Sequence, residues 1–590
     1  MTNPFRLTAG FFNAIALLAV LPLNAEESFS PIGLKTDYRV APLTVDRPDP
    51  LLAWRLTGDR RGLAQQAYHI QAASSVAAFE APDFWDSGWV EDPRSAAIPY
   101  GGKAFASQER VYWRVRIKDD RDDITPWSEP THFDGGLMHD DDWQGAAWVS
   151  CSRAFQPELA PADVMGAWIA APDTLSDSDE VTFRLMFDLK PQPVVHAGAW
   201  WNHVSIGEIE LNLNGTRGLS GPEGPATIHY KDFGFLIRET GNELRVRLQG
   251  ASPGTPVSVG IRVVYADGTE QLIQSSTGWT VQGASGAPQS ATVVGAYGES
   301  PWGEAVISPR APLPVAWYKK DFPVEGDVAS ARLYICGLGY NEPYLNGQKI
   351  GDHVLAPGQT DYEEFAQYEV FDVQTHLQAG MNSLAVLLGD GWYNNDRMFS
   401  HARFAYGKPG MRAMLDLRYA DGTRAVVTTD ESWHWKPSGI TAASVFMGDH
   451  VDYRQWHDEW EVPGTPAGWA SVREVPALSP KLMANDFPPI RIVDEIDPVK
   501  MWQTGAKTWI VDLGRNLSGW IALDFDEPAG TTIRIRATES LAEDGRSMGN
   551  VPYSFFNCHA APQNHSIIAD GRPRSWRPHF SYHGFRYAEI

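Results

Sequence analysis

The segment Gly389-Asp390-Gly391-Trp392-Tyr393-Asn394-Asn395-Asp396 places two aromatic rings beside amide and carboxylate side chains. Rings of this kind stack on the apolar faces of sugars, and amides and carboxylates bond sugar hydroxyls. Trp392, Tyr393, Asn394 and Asp396 are therefore candidate carbohydrate contacts. The competing role for the two rings is to pack against a neighbouring domain. Trp200-Trp201-Asn202-His203 offers similar chemistry. Adjacent side chains on a strand point to opposite faces, so at most one of Trp200 and Trp201 joins any given core.

Other reactive patterns fail on their own chemistry. Gly250-Ala251-Ser252-Pro253-Gly254 matches Gly-x-Ser-x-Gly, whose oxyanion hole uses the N–H of the residue after the serine. That residue is Pro253, which has no N–H, so the segment reads as a turn. Glu363-Glu364 is an acidic pair among 73 acidic residues, and adjacency in sequence does not set two carboxyls across a cleft. There is no HExxH, paired CxxC, Walker loop or EF-hand loop. The three cysteines, Cys151, Cys336 and Cys558, are too widely spaced for a zinc site or a disulfide framework. No catalytic residue, metal or cofactor is expected from these patterns.

The elements that must carry such a site are strands. Trp113, Val115 and Ile117 alternate with Arg114, Arg116 and Lys118; Leu244, Val246 and Leu248 alternate with Arg245 and Arg247. This period-2 pattern marks antiparallel sheets with one solvated face. Asn214-Gly215, Asn346-Gly347, Asp267-Gly268 and Asp421-Gly422 suit tight hairpins. Long helical periodicity is nearly absent, and 53 Gly and 42 Pro fit many short strands and turns. The expected fold is all-β, a string of β-sandwich domains. A length of 590 residues allows about three to six domains. The net charge of −24 argues against nucleic acid and anionic membrane as partners.

Arg6, the apolar run Phe11 to Leu23 and the Leu-Asn-Ala ending at Ala25 read as a secretory signal peptide over residues 1–25, with a signal anchor as the alternative. No later apolar stretch reaches the ~18 residues of a membrane span. The mature protein is expected to be exported, periplasmic or extracellular, without membrane insertion. Residues 28–138, with Tyr112-Trp113-Arg114-Val115-Arg116 and Trp127-Ser128-Glu129-Pro130, resemble a fibronectin type III domain in which these aromatics fill the core. Beyond them lies an internal repeat. The stretch Gly198 to Gly215 parallels Gly337 to Gly347, and Val263 to Val281 parallels Leu417 to Trp435. The Asn-Gly turns at 214 and 346 lie 132 residues apart and the Asp-Gly turns at 267 and 421 lie 154 apart, so the second copy carries about 22 extra residues. Two copies are too few for a solenoid. They read as two jelly-roll-like sandwiches, 160–300 and 301–480, followed by a further sandwich over 485–590.

Four stretches of the second copy and the tail carry a family resemblance. They are ARLYICGLGYNEPYLNGQKIGDHVLAPGQTDY, YEVFDVQTHLQAGMNSLAVLLGDGWYN, VDLGRNLSGWIALDFDEPAGTTIRIRATESLAEDG and HFSYHGFRYAEI. In this order they resemble the N-terminal half of bacterial α-L-rhamnosidases, glycoside hydrolase family 78, and the first repeat copy resembles an additional module of the same shape. The resemblance implies a partner that is a rhamnose-containing oligo- or polysaccharide. It also implies hydrolysis by a helical (α/α)6 barrel following the Phe-Arg-Tyr strand, with an acidic pair acting as general acid and base under inversion. The chain reaches Ile590 directly after Phe585-Arg586-Tyr587. The expectation is thus a set of glycan-positioning, barrel-supporting domains, inactive alone, with no catalytic carboxylate assigned. Tyr582-His583 falls within the family's structural strand and is read as core or interface. Some members carry a calcium-dependent rhamnose module with an Asp-Asn pair just before the Tyr-x-Asn-Gly turn. Leu338-Gly339 stands there in this chain and supplies no side-chain oxygen, which argues against calcium and rhamnose binding at that place. Phe580, Tyr582, Phe585 and Tyr587 are expected to lie partly exposed unless a further domain covers them. The rival reading is a stand-alone carbohydrate-binding or adhesin-like exported protein. The sequence sets no oligomeric state.

Overall fold

The computed structural model contains two compact units, residues 1–135 and 136–590. Residues 29–590 are described apart from 59–60, 152–160, 176–179, 193, 204–207, 221–226, 233–236, 250–253, 266–268, 285, 300–305, 308–314, 395–405, 446–447, 465–467 and 549–562. The expected signal peptide, most of the Gly-x-Ser-x-Gly match, Asp396 and Cys558 lie outside the described residues. Among the described residues the one α-helix is the four-residue Pro161–Val164; the rest of the regular structure is strand and short 3-10 turns. The all-β expectation holds.

The first unit is a seven-stranded sandwich. One sheet runs in the order Trp85–Glu91, Gln65–Ala73, Arg110–Asp119, Thr131–Asp134, and the other in the order Ser30–Thr36, Leu51–Thr57, Ile98–Pro99. Val111, Trp113, Val115 and Ile117 are wholly buried, and the Trp113 indole donates to Thr36 Oγ1 of the facing sheet at 3.0 Å. The expected core role holds for Trp113 and fails for Trp127. Trp127 lies on the outer face, where the Arg114 and Arg116 guanidinia each sit 4.5 Å from its ring, because the intervening cations must face outward when Val115 and Ile117 face in.

In the second unit the sequence repeat becomes a repeat of topology. The first copy pairs a sheet ordered Thr216–Ser220, Glu208–Leu213, Asn242–Gln249, Glu180–Phe187, Thr280–Gly283, Gln289–Ser290 with one ordered Thr292–Gly295, Trp168–Ala170, Val257–Tyr265, Val194–His203, Thr227–Asp232, Val306–Ile307. The second copy matches it strand for strand: Gln348–Lys349, Tyr340–Leu345, Gly380–Gly389, Ala316–Val324, His434–Pro437, Ala470–Ser471 in one sheet, and Arg473–Glu474, Val149–Ser150, Gly410–Tyr419, Val328–Leu338, Ala366–Asp372, Leu482–Ala484 in the other. The polar stitching matches as well. Asn214 and Asn346 both hold positive φ at their turns, and each donates to the asparagine of the next strand, Asn242 at 2.9 Å and Asn382 at 2.7 Å. Trp279 and Trp433 are wholly buried, and each indole donates to the carbonyl five residues earlier.

Two boundaries differ from the sequence reading. Val149–Ser150, from before the first copy, is a strand of the second copy, pairing with Met411 and with Arg473 and Glu474. The first copy is therefore inserted between the first and second strands of the second. Likewise Ile440–Ser444 and Gly448–Asp452, placed in the span 301–480, belong to the C-terminal sheet. Its order is Ile440–Ser444, Gly448–Asp452, Asn564–Ile568, Thr532–Thr538, His583–Glu589, Thr508–Gly519, Lys500–Gly505. Alternation identifies a strand but not its partner, so neither crossing is visible in a one-dimensional pattern. The tail aromatics also differ from expectation: Phe580 and Phe585 are each 1% exposed, and Tyr582 and Tyr587 are half-buried.

Candidate functional site

The candidate loop leaves the inner strand Gly380–Gly389 of the second copy and is mostly internal. Gly389 lies against the Phe580 ring, so that a Cβ there would meet Cδ2 at 2.5 Å. Gly391, at φ +53°, lies on the backbone of Gly339 and Tyr340. Gly339 in turn meets the Asp390 carbonyl, where a Cβ would approach to 1.8 Å. Leu338-Gly339 thus forms a hydrophobic and backbone seat for the loop, with Leu338 wholly buried. Asp390 and Asn394 are buried and hold each other, Asn394 Nδ2 donating to Asp390 Oδ1 at 3.0 Å and Asn394 N to the Asp390 carbonyl at 3.1 Å. Tyr393 is buried edge-on to Tyr362 and stacked on Tyr406, and burial pushes its phenol up to about 12. Trp392 is half-buried where two apolar clusters meet, and hydrogen-bonds Tyr340.

In the first copy, Trp201 is 2% exposed and belongs to the core, while Trp200 faces the other way, half-buried beside Met165 and Tyr297. The strand Val194–His203 gives them opposite faces, as its alternation requires. The structure does not bring Trp200 and Trp392 into one cluster. Glu363 lies in an exposed turn, and His583 is buried at the start of its strand.

A polar seam that the sequence reading missed lies beneath the candidate loop. Glu342, 1% exposed on Tyr340–Leu345, accepts from Tyr344 Oη at 3.0 Å and pairs with His579 Nδ1 at 2.8 Å. Lys349 Nζ and Arg577 Nη2 each stand 3.6 Å from its other oxygen. Burial alone would raise this carboxyl, but the His579, Lys349 and Arg577 charges outweigh it and hold it far below the usual carboxylate range. Asp449, wholly buried, accepts from the backbone N–H of His579 at 2.6 Å and of Phe580 at 3.0 Å, and burial pushes its carboxyl up. His565 Nδ1 accepts from Asp449 N at 3.0 Å, and His565 Nε2 meets His583 Nε2 at 3.0 Å. The only sequence trace of this seam was the clustering of histidines at 579 and 583 beside aromatics. Among the described residues no group of three or more His, Cys, Asp or Glu side chains is arranged to hold a metal ion. No helix among them is long and apolar enough to cross a membrane.

Comparison with known proteins accounts for this architecture. Residues 31–139 match the profile of the Rha78A-like N-terminal immunoglobulin domain, 326–494 that of the alpha-L-rhamnosidase N-terminal domain, and 502–590 that of the bacterial alpha-L-rhamnosidase concanavalin-like domain. An alpha-L-rhamnosidase of Streptomyces avermitilis is 29% identical over 587 residues, spanning 94% of this chain and 55% of its own length. One from Formosa agariphila is 26% identical, spanning 93% of this chain and 44% of its own length. The crystal structure of the S. avermitilis alpha-L-rhamnosidase complexed with L-rhamnose superposes with a TM-score of 0.71 at 27% identity, over 95% of this chain and 56% of that one. The chain spans about half the length of the curated relatives it matches. With three rhamnosidase-associated domain profiles matched in order, and with proteins named alpha-L-rhamnosidase aligning along nearly its whole length, the chain is similar to the N-terminal half of bacterial α-L-rhamnosidases.

Proposed function

We propose that residues 29–590 form the glycan-positioning, barrel-supporting part of an exported α-L-rhamnosidase-type glycoside hydrolase acting on rhamnose-containing glycans. The observation that carries this reading is the succession of three rhamnosidase-associated domains along a chain that relatives named alpha-L-rhamnosidase align with almost end to end. The half-buried Trp392 and Trp200 are the glycan contacts in this reading, since Tyr393 and Trp201 are committed to packing. Export rests on the charge and apolar pattern of residues 1–25, and N-terminal sequencing of the mature protein tests it.

Inverting hydrolysis needs an acid and a base about 6.5–9.5 Å apart across a cleft. The described residues form β-sandwiches, and the resemblance to bacterial α-L-rhamnosidases puts such a pair on a helical barrel outside these domains. The isolated chain is expected to release no rhamnose from an aryl α-L-rhamnoside, and to bind a rhamnose-containing oligosaccharide in calorimetry. Trp392→Ala is expected to weaken that binding about tenfold, the scale of one lost aromatic contact. Turnover that disappears on substituting a carboxylate within 29–590 would replace this reading with a catalytic one. Binding unchanged in both Trp392→Ala and Trp200→Ala would move the glycan contacts elsewhere.

A further inference from the structure

The segment Arg577–His583 ties the second sandwich to the C-terminal sheet through three contacts. The His579 ring pairs with Glu342, the backbone N–H groups of His579 and Phe580 bond Asp449, and His583 meets His565. Phe580 fills the space under Gly389, where the candidate loop begins. The histidine pair has a fixed proton arrangement. Asp449 N–H donates to His565 Nδ1, so the one ring proton of neutral His565 sits on Nε2. That proton is donated to His583 Nε2, which leaves the His583 proton on Nδ1. Each ring nitrogen able to take a further proton already accepts one, so protonating either ring turns a hydrogen bond into two opposed donors. Gly448 makes the arrangement possible: at φ +108° it brings Asp449 N onto the ring, and a Cβ there would lie 1.9 Å from the Asn564 carbonyl and 3.0 Å from His565 Nδ1.

We propose that the His565–His583 pair is an acid-sensitive clasp, which opens the segment Arg577–His583 and withdraws Phe580 from beneath the loop at Gly389–Asn394. This goes beyond the glycan-positioning reading and does not depend on it. The surroundings support the direction. Burial lowers both rings, with the neighbouring His583 and His450 charges adding to the effect on His565, and His583 is pushed down to about 3. An opened, solvated histidine titrates near ~6.5. The closed clasp therefore refuses protons between about 6.5 and 3 that the open one accepts, and acidification through this range favours opening. The charged groups facing the pair divide by sign. Asp449 opposes opening, because its burial-raised carboxyl takes up a proton more readily when closed. Glu342, held low by His579, Lys349 and Arg577, acts only below the usual carboxylate range. From the strand Thr532–Thr538, Arg536 is paired with Glu589 at 2.8 Å. Glu539 stands 3.6 Å from the position of a Cβ on Gly584. His450 is bonded to Ser566 at 2.8 Å.

The test is hydrogen exchange, read by mass spectrometry on the full chain at pH 7.5 and 5.5 and corrected for the intrinsic pH dependence of exchange. Each histidine is expected to contribute about tenfold over this interval, so peptides covering 577–583 should open about a hundredfold more at pH 5.5. Peptides covering Asn242–Gln249 of the first copy should be unchanged. His583→Met should reduce the acid response to about tenfold. A wild-type response below threefold, or an equal acceleration in the first copy, would overturn the clasp. A full hundredfold response retained in His583→Met would assign the effect to groups other than the pair. If the variant does not fold, the wild-type comparison still decides.

Discussion

Glu342 is charged yet sealed from water, and its neighbours explain how both hold at once. Tyr344, His579, Lys349 and Arg577 converge on its two oxygens from its own sandwich and from the C-terminal segment. Removing one partner of such a buried cluster is more damaging than the net worth of the cluster, because the remaining charges stay buried and uncompensated. Glu342→Gln is expected to cost about 3–5 kcal/mol in chemical unfolding. The pH profile gives a second reading. The folded carboxyl lies far below its unfolded value, so its stabilisation is complete above about 4.5 and is lost as pH falls below that. Wild-type stability should therefore fall through this acid range, and the Glu342→Gln variant should lose much of that fall. A Gln variant as stable as wild type at pH 7 would show that the cluster does not bind the segments together.

At the scale of elements, close backbone approaches locate the turns that cannot change. Gly448 and Gly422 both have positive φ, +108° and +86°, but their surroundings differ. Nothing lies within 4 Å of a Cβ at Gly422, whereas one at Gly448 would strike the Asn564 carbonyl. Gly422→Ala is expected to cost about 1 kcal/mol, the strain of a left-handed alanine alone. Gly448→Ala adds displacement of the parallel pair His450↔Ser566 and should cost at least about 3 kcal/mol. Thermal unfolding of the two variants side by side checks the difference. Equal shifts would mean that the strands Gly448–Asp452 and Asn564–Ile568 yield freely at this contact.

At the scale of the whole molecule, the densest run of exposed large apolar side chains among the described residues lies between Phe487 and Trp509. Phe487, Ile490, Ile492, Val493, Val499, Met501 and Trp509 are all exposed, with Val493 at 94% and Val499 at 67%. Lys500–Gly505, next to Val499, is also the edge strand of the seven-stranded C-terminal sheet. Exposed apolar side chains beside an unpaired edge favour association of chains. The isolated chain is expected to self-associate at micromolar concentration in light scattering. The double variant Val493→Lys and Val499→Lys should reduce that association with little change in melting temperature, since neither side chain is buried. A monodisperse monomeric wild type would show that this stretch does not drive association.

What the sequence by itself determined was local and periodic. Alternation such as Val111, Trp113, Val115 and Ile117 identified strands and their buried faces, because side-chain direction in a strand is set by the backbone at that residue. The Asn-Gly turns at 214 and 346, which share the left-handed conformation, marked a duplicated unit, and the long family motifs identified its kin. Other features depended on partners distant in the chain, and only the tertiary structure decided them. Val149–Ser150 joins a sheet whose neighbouring strand begins at Gly410, and Gly448–Asp452 pairs with Asn564–Ile568. Nothing in the local pattern encodes these choices, since any half-apolar strand presents the same periodicity to any partner. The same holds for the candidate site. Sequence singled out Tyr393 and Trp201 for their chemistry, yet packing buried both. Glu342 and His583 lie in stretches that carry the family resemblance and Asp449 and His565 in none, yet no pattern linked the four; they form one seam only because folding brings chain segments more than 100 residues apart within about 3 Å.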